Sequence, residues 1–158
     1  MDSVSTLRLA YSRYNTIYFH GKLPLVSNIL IEVIEDQDPE ELGYDGCTYM
    51  NKRRGKTVKD ASLAIDSDYW YVIKIINFNK EKPEDELLDI LAHEMIHIWQ
   101  MDVLDFDKFT EPMTWHMSHN KTFVAKMNQI NLLSKSYGEP RNITVVAYEH
   151  KYKKKKAE

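Results

Sequence analysis

The stretch from residue 84 to about 101 constrains this chain most, because it reads as a helix that must be covered on nearly every side. Pro83 stands where helices start readily, and Glu84, Asp85 and Glu86 place negative charge at the positive end of the helix dipole. Leu87, Leu91, Met95 and Ile98 fall on one face, while Ile90 and Ile96 flank His93 and His97 on the opposite side. A helix apolar around most of its circumference belongs in the middle of a fold. Two imidazoles on such a helix need partners.

The residues around them suggest which partner. In His93-Glu94-Met95-Ile96-His97 the two histidines are four residues apart, hence about 40° from each other around a helix axis, and both can reach one ion. Glu94 stands beside that ion without having to bind it. This is the HExxH pattern of zinc hydrolases, where the histidines hold the metal and the glutamate takes a proton from metal-bound water. Three residues downstream qualify as a third ligand: His116, His119 and Glu111, the last matching zincins that use a carboxylate. A second helix is expected to start near Ser118, with Phe123, Met127, Ile130 and Leu133 or Ser134 following its stripe. His119 lies four residues before Phe123 on that stripe. If Phe123 and Met127 pack on the first helix, His119 is aimed at the His93/His97 pair. His20 and His150 read as surface histidines, Trp99 and Trp115 as core residues, with Trp115 also a candidate for lining a cleft.

The rest of the chain divides at its turn signals. Leu7, Leu9, Ala10, Tyr14, Ile17 and Tyr18 predict a helix over about 4–19, ended by Gly21 and Pro24. Residues 28–34 alternate as a strand and lead into an acidic turn over 35–41; 43–50 and 62–66 read as two further strands, a hairpin across 51–59. Residues 69–78 are apolar enough for burial, but their period favours neither helix nor strand. Gly138 and Pro140 end the second active-site helix. The expected division is a domain over 1–140 and a C-terminal strand (142–148) with a basic tail over 141–158.

A length of 158 residues, 43% hydrophobic and 28% charged, suits one globular domain with a sizeable core. Cys47 is the single cysteine, which excludes an internal disulfide and a cysteine-based zinc ribbon. No run approaches the roughly 18 apolar residues of a membrane span, and the start Met-Asp-Ser-Val-Ser-Thr lacks a secretory pattern. The expectation is a soluble cytoplasmic protein without a membrane partner. Its net charge of −3 conceals two basic segments, Lys52, Arg53, Arg54 and Lys56 in one loop and Lys151, Lys153, Lys154, Lys155 and Lys156 at the end. These are candidate nucleic-acid contacts, since lysines near phosphates release counterions.

Three blocks together resemble the SprT-like metalloprotease domain, the family that includes the Spartan DNA-repair proteases. The first runs from Leu9-Ala10-Tyr11 through Tyr14-Asn15 and Tyr18-Phe19 to Gly21-Lys22-Leu23-Pro24. Leu87-Leu88 and Leu91-Ala92 through His97 form the second, and His119, Phe123, Met127 and Asn131 the third. They span about residues 5–134. The resemblance implies an α+β zincin fold with helices packed on a small sheet, zinc held by His93, His97 and His119, and Glu94 as the catalytic glutamate. It also implies an endopeptidase acting on DNA-associated proteins, as in DNA–protein crosslink repair, and a nucleoid or nuclear association if DNA is bound. The chain departs from the family in carrying Asn120 where glycine usually follows the third histidine, and in a longer segment between His97 and His119. The competing expectation is a non-catalytic module for nucleic acid or protein, stabilised by a zinc with four protein ligands.

Overall fold

The first helix, α1 (Ser3–Phe19), forms where its apolar repeat predicts, with Asp2 accepting the Ser5 N–H at 2.7 Å as N-cap. Its exit is fixed by side chains of the first sequence block. Asn15 clamps the backbone of Leu23 in both directions, donating to its carbonyl at 3.1 Å and accepting its N–H at 3.0 Å. The Tyr11 hydroxyl donates to the carbonyl of Pro24 at 2.8 Å. The chain is thereby turned back under the helix into the sheet.

The computed structural model describes residues 1–53, 56–57, 69–104 and 118–145. Within them it is a mixed α+β fold of four α-helices with a small three-stranded sheet. After β1 (Ile29–Ile34) come α2 (Pro39–Leu42), β2 (Gly46–Met50), the short β3 (Lys52–Arg53) and β4 (Lys56–Thr57), and then β5 (Tyr71–Ile76). The helices α3 (Glu84–Asp102) and α4 (Lys121–Ser136) follow. The sheet order is β1-β5-β2, with β1 parallel and β2 antiparallel to β5; β3 and β4 pair separately as an antiparallel hairpin. The strand expected over 62–66 lies outside the described residues.

The central position of β5 explains its ambiguous sequence. Tyr71, Val72, Ile73, Ile75 and Ile76 are all buried, and only Lys74 among its six residues is partly open. A strand covered on both faces loses the alternation that identifies a strand.

Helix α3 contacts α1, α4, β2 and β5, which makes it the central helix its sequence demands. Leu87, Leu91, Met95 and Ile98 are buried in the core with Ile73 and Ile75 of the sheet, and Trp99 packs partly buried against it. It packs closely on β2. A Cβ on Gly46 would lie 2.7 Å from Ile90 Cγ2 and 3.4 Å from Glu94 Oε2, so only glycine lets the strand lie this close. On the other flank Lys126 of α4 donates to the Tyr18 carbonyl at 2.6 Å and lies over the rings of Phe19 and Trp99. Burial holds its ammonium below the usual lysine pKa.

Of the strand expected over 142–148, residues 146–148 lie outside the described residues and 142–145 form none. Their backbone groups are taken by side chains: Asn142 N–H donates to Asp89 at 3.0 Å, and Asn131 both accepts from Ile143 N–H at 2.8 Å and donates to its carbonyl at 2.9 Å. Arg141, buried beside them, donates to the Asp85 carboxylate at 2.8 Å. These bonds make 141–144 a strap across α3 and α4. Gly46→Ala is expected to destabilise the protein by about 1–3 kcal/mol through overpacking on Ile90, read as a lower denaturant midpoint; an unchanged midpoint would contradict the close β2–α3 approach.

Candidate metal centre

Three histidines converge on one point. His93 and His97 project from adjacent turns of α3, and His119 comes from the residues just before α4. His93 Nε2 lies 3.3 Å from His97 Nε2 and 3.1 Å from His119 Nε2. Among the described residues these three form the one group whose ligand atoms, all within 4.8 Å of each other, can hold a metal ion.

Packing brings His119 there. Phe123, fully buried, has its ring centroid 4.7 Å from that of His93, 4.9 Å from His97 and 4.8 Å from His119. One aromatic ring therefore forms the floor under all three imidazoles. The helix behind it starts at Lys121, a little later than its apolar stripe predicts. Asn120 sets that start, accepting the N–H groups of Thr122 at 3.0 Å and Phe123 at 3.4 Å. Its φ of −77° is ordinary, so the glycine usual at this place in the resembled family is not needed here.

The outer nitrogens determine what the inner ones present. His93 Nδ1 is 2.9 Å from the carbonyl of Thr144. A carbonyl only accepts, so this nitrogen carries a proton, and in the neutral ring the lone pair lies on Nε2. His97 Nδ1 is 2.8 Å from Oε1 of Gln100, and His119 Nδ1 is 3.1 Å from the Ser118 hydroxyl. The strap over 141–144 thus acts on the site through the Thr144 carbonyl.

Two lone pairs facing each other at 3.3 Å repel. A cation between them converts repulsion into coordination, and outer hydrogen bonds of this kind are what metal-binding imidazoles use to fix their orientation. The donor set therefore fits a metal ion. Neutral imidazole is a ligand for several transition metals, and geometry rather than donor type alone selects among them.

Glu94 is buried beside the cluster at 4% exposure. Thr48 of β2 donates to its Oε1 at 3.0 Å, and Gly46 leaves room beside Oε2. The strand that packs closely on α3 through Gly46 is also the one that orients this carboxylate.

Glu111, His116 and Trp115 lie outside the described residues, as do Arg54, His150, Lys151 and Lys153 to Lys156. Lys52 and Arg53 lie in β3 and Lys56 in β4, the two strands that pair with each other separately from the main sheet. His20 is exposed at the end of α1. Sequence reasoning missed Gly46, Thr48, Gln100 and Thr144. Gln100 alone left a trace, as a polar residue one turn beyond His97 on a covered helix.

Compared with protein-family models, with curated proteins and with solved structures, the chain matches none of them. No helix among the described residues is long and apolar enough to cross a membrane.

A divalent metal at a hundredfold excess over its dissociation constant should stabilise the protein by about 2.7 kcal/mol, measured by chemical denaturation against a chelated control. Alanine at His93, His97 or His119 should abolish most of that gain. Equal responses from wild type and all three variants would place the metal elsewhere.

Proposed function

We propose that this chain is a zinc-dependent endopeptidase related to the SprT-like proteases, with His93, His97 and His119 as ligands and Glu94 as general base. The observation that carries the proposal is the convergence of three imidazole nitrogens beside one buried, oriented carboxylate. Tetrahedral zinc bonded to imidazole at about 2.0–2.1 Å separates its ligand nitrogens by about 3.3 Å. Two of the three pairs, His93 with His119 at 3.1 Å and with His97 at 3.3 Å, are near that spacing, and all three lie within 4.8 Å. The α+β arrangement, the Asn15 clamp on Leu23 and the Asn131 clamp on Ile143 give physical roles to residues of the blocks that carry the resemblance.

Zinc bound there would act as a Lewis acid, acidifying water and polarising the scissile carbonyl. The remaining work belongs to the chain. Glu94 accepts the proton of the attacking water and returns it to the leaving amine. Thr48 holds one carboxylate oxygen, restricting the rotation that would carry the other away from the water. Thr144 and Gln100 take the Nδ1 protons of His93 and His97 in hydrogen bonds, so the neutral rings offer Nε2 as the ligand atom.

Proteins bound to DNA are the proposed substrate class. The β3–β4 hairpin supports this reading by setting Arg53 opposite Lys56, next to Lys52, and the lysines of 151–156 add a second basic segment. Single-stranded DNA binding should weaken steeply with salt and be lost on deleting residues 151–158. Binding that survives the deletion at every salt concentration would count against the tail.

Glu94→Gln should retain zinc and lower cleavage of an unfolded protein substrate by about 10²–10⁴-fold. A zinc-loaded variant with full activity would overturn the role of Glu94. Wild type that binds zinc and cleaves nothing, with or without DNA, would favour the non-catalytic binding module.

A further inference from the structure

Gln100 is 1% exposed and makes three hydrogen bonds that join both halves of the candidate site. Its Oε1 lies 2.8 Å from His97 Nδ1; its Nε2 donates to the carbonyl of Ser118 at 2.8 Å and to the Thr122 hydroxyl oxygen at 3.2 Å. The donor and acceptor roles along this chain of groups are forced. The Ser118 carbonyl can only accept, so the Gln100 NH₂ must face it and the amide oxygen must face His97. His97 Nδ1 then has to donate, which in the neutral ring puts the lone pair on Nε2, the atom 3.3 Å from His93 Nε2. Thr122 gives its own proton to Asn120 Oδ1 at 2.6 Å and so has lone pairs free for the Gln100 amide. Only the Thr122 hydroxyl both donates and accepts, as a hydroxyl can; every other atom of the network has a single role.

The far end of the network reaches the third histidine. Ser118 immediately precedes His119, and Asn120 and Thr122 form the cap of α4 behind it. One side chain on α3 therefore sets the tautomer of one ligand and holds the backbone that delivers another.

We propose that Gln100 is a positioning residue that couples His97 to His119, preorganising the three-histidine site for its metal. This inference rests on the metal-binding reading of the site, not on peptidase activity. A buried glutamine that merely fills space between α3 and α4 would contribute to folding and leave the metal's surroundings unchanged.

Two substitutions separate these roles. Gln100→Leu is close in volume and removes all three hydrogen bonds. Gln100→Glu keeps an acceptor for His97 Nδ1 but removes both donors toward Ser118 and Thr122. Zinc affinity is measured on the full chain by chelator competition, cobalt(II) substitution reports ligand geometry by its visible absorption, and unfolding of the metal-free proteins reports the fold. The leucine variant should bind zinc about 10–100-fold more weakly, with an altered cobalt spectrum. The glutamate variant should lose less affinity, yet differ from wild type in its spectrum because the His119 segment is no longer held.

Wild-type affinity and spectrum in both variants would overturn the proposal. So would a loss of metal-free stability in either variant with the cobalt spectrum unchanged. If the leucine variant fails to fold, the glutamate variant decides alone, a wild-type spectrum and affinity refuting the coupling. Wild type that binds no zinc at the histidines would refute the metal site itself, while zinc binding without proteolysis would refute only the proposed activity.

Discussion

Three imidazoles gathered with His93 Nε2 3.3 Å from that of His97 and 3.1 Å from that of His119, all within 4.8 Å, form the arrangement on which the rest of this structure depends. In their neutral forms His93 and His97 both present Nε2 lone pairs, because their other nitrogens donate to Thr144 and Gln100. Without a cation that geometry is repulsive. The surroundings hold it nonetheless, with Phe123 packed under all three rings and partners for the outer nitrogens drawn from separate parts of the fold. Support of this kind is what metal-binding imidazoles use to fix their orientation.

The fold can be understood as the means of holding that centre beside Glu94. The sheet supplies β2, whose Gly46 permits close contact with α3 and whose Thr48 orients the carboxylate. The C-terminal strap supplies the Thr144 carbonyl, and Asn131 keeps it in place by gripping Ile143, one residue away. Each contribution is a fixed backbone or a short side chain, so little conformational freedom remains to be lost when an ion enters.

Much of this was legible in the sequence because helical periodicity is a strong signal. The 3.6-residue repeat located α1, α3 and α4, and the shared stripe of His119 and Phe123 anticipated their packing on the HExxH helix. Where periodicity fails, the reading failed too. Residues 71–76 are buried on both faces and showed no alternation, while 142–145 have strand-like composition but spend their backbone hydrogen bonds on Asp89 and Asn131. Thr144 was invisible for a more basic reason: it acts through its carbonyl, which every residue possesses. Thr48 and Gln100 are ordinary polar residues whose roles depend on partners the fold brings up, 46 positions away for Thr48 and 18 positions away for Gln100, which also meets His97 on its own helix.

The central claim is that His93, His97 and His119 bind one zinc ion, and X-ray absorption at the zinc edge tests it most directly. The sample is the full chain, purified without an affinity tag and loaded with one equivalent of zinc. The account predicts scattering from three imidazoles at about 2.0–2.1 Å and the loss of one imidazole contribution when His119 is replaced by alanine. A spectrum with no imidazole contribution, or one that His119→Ala leaves unchanged, would contradict it.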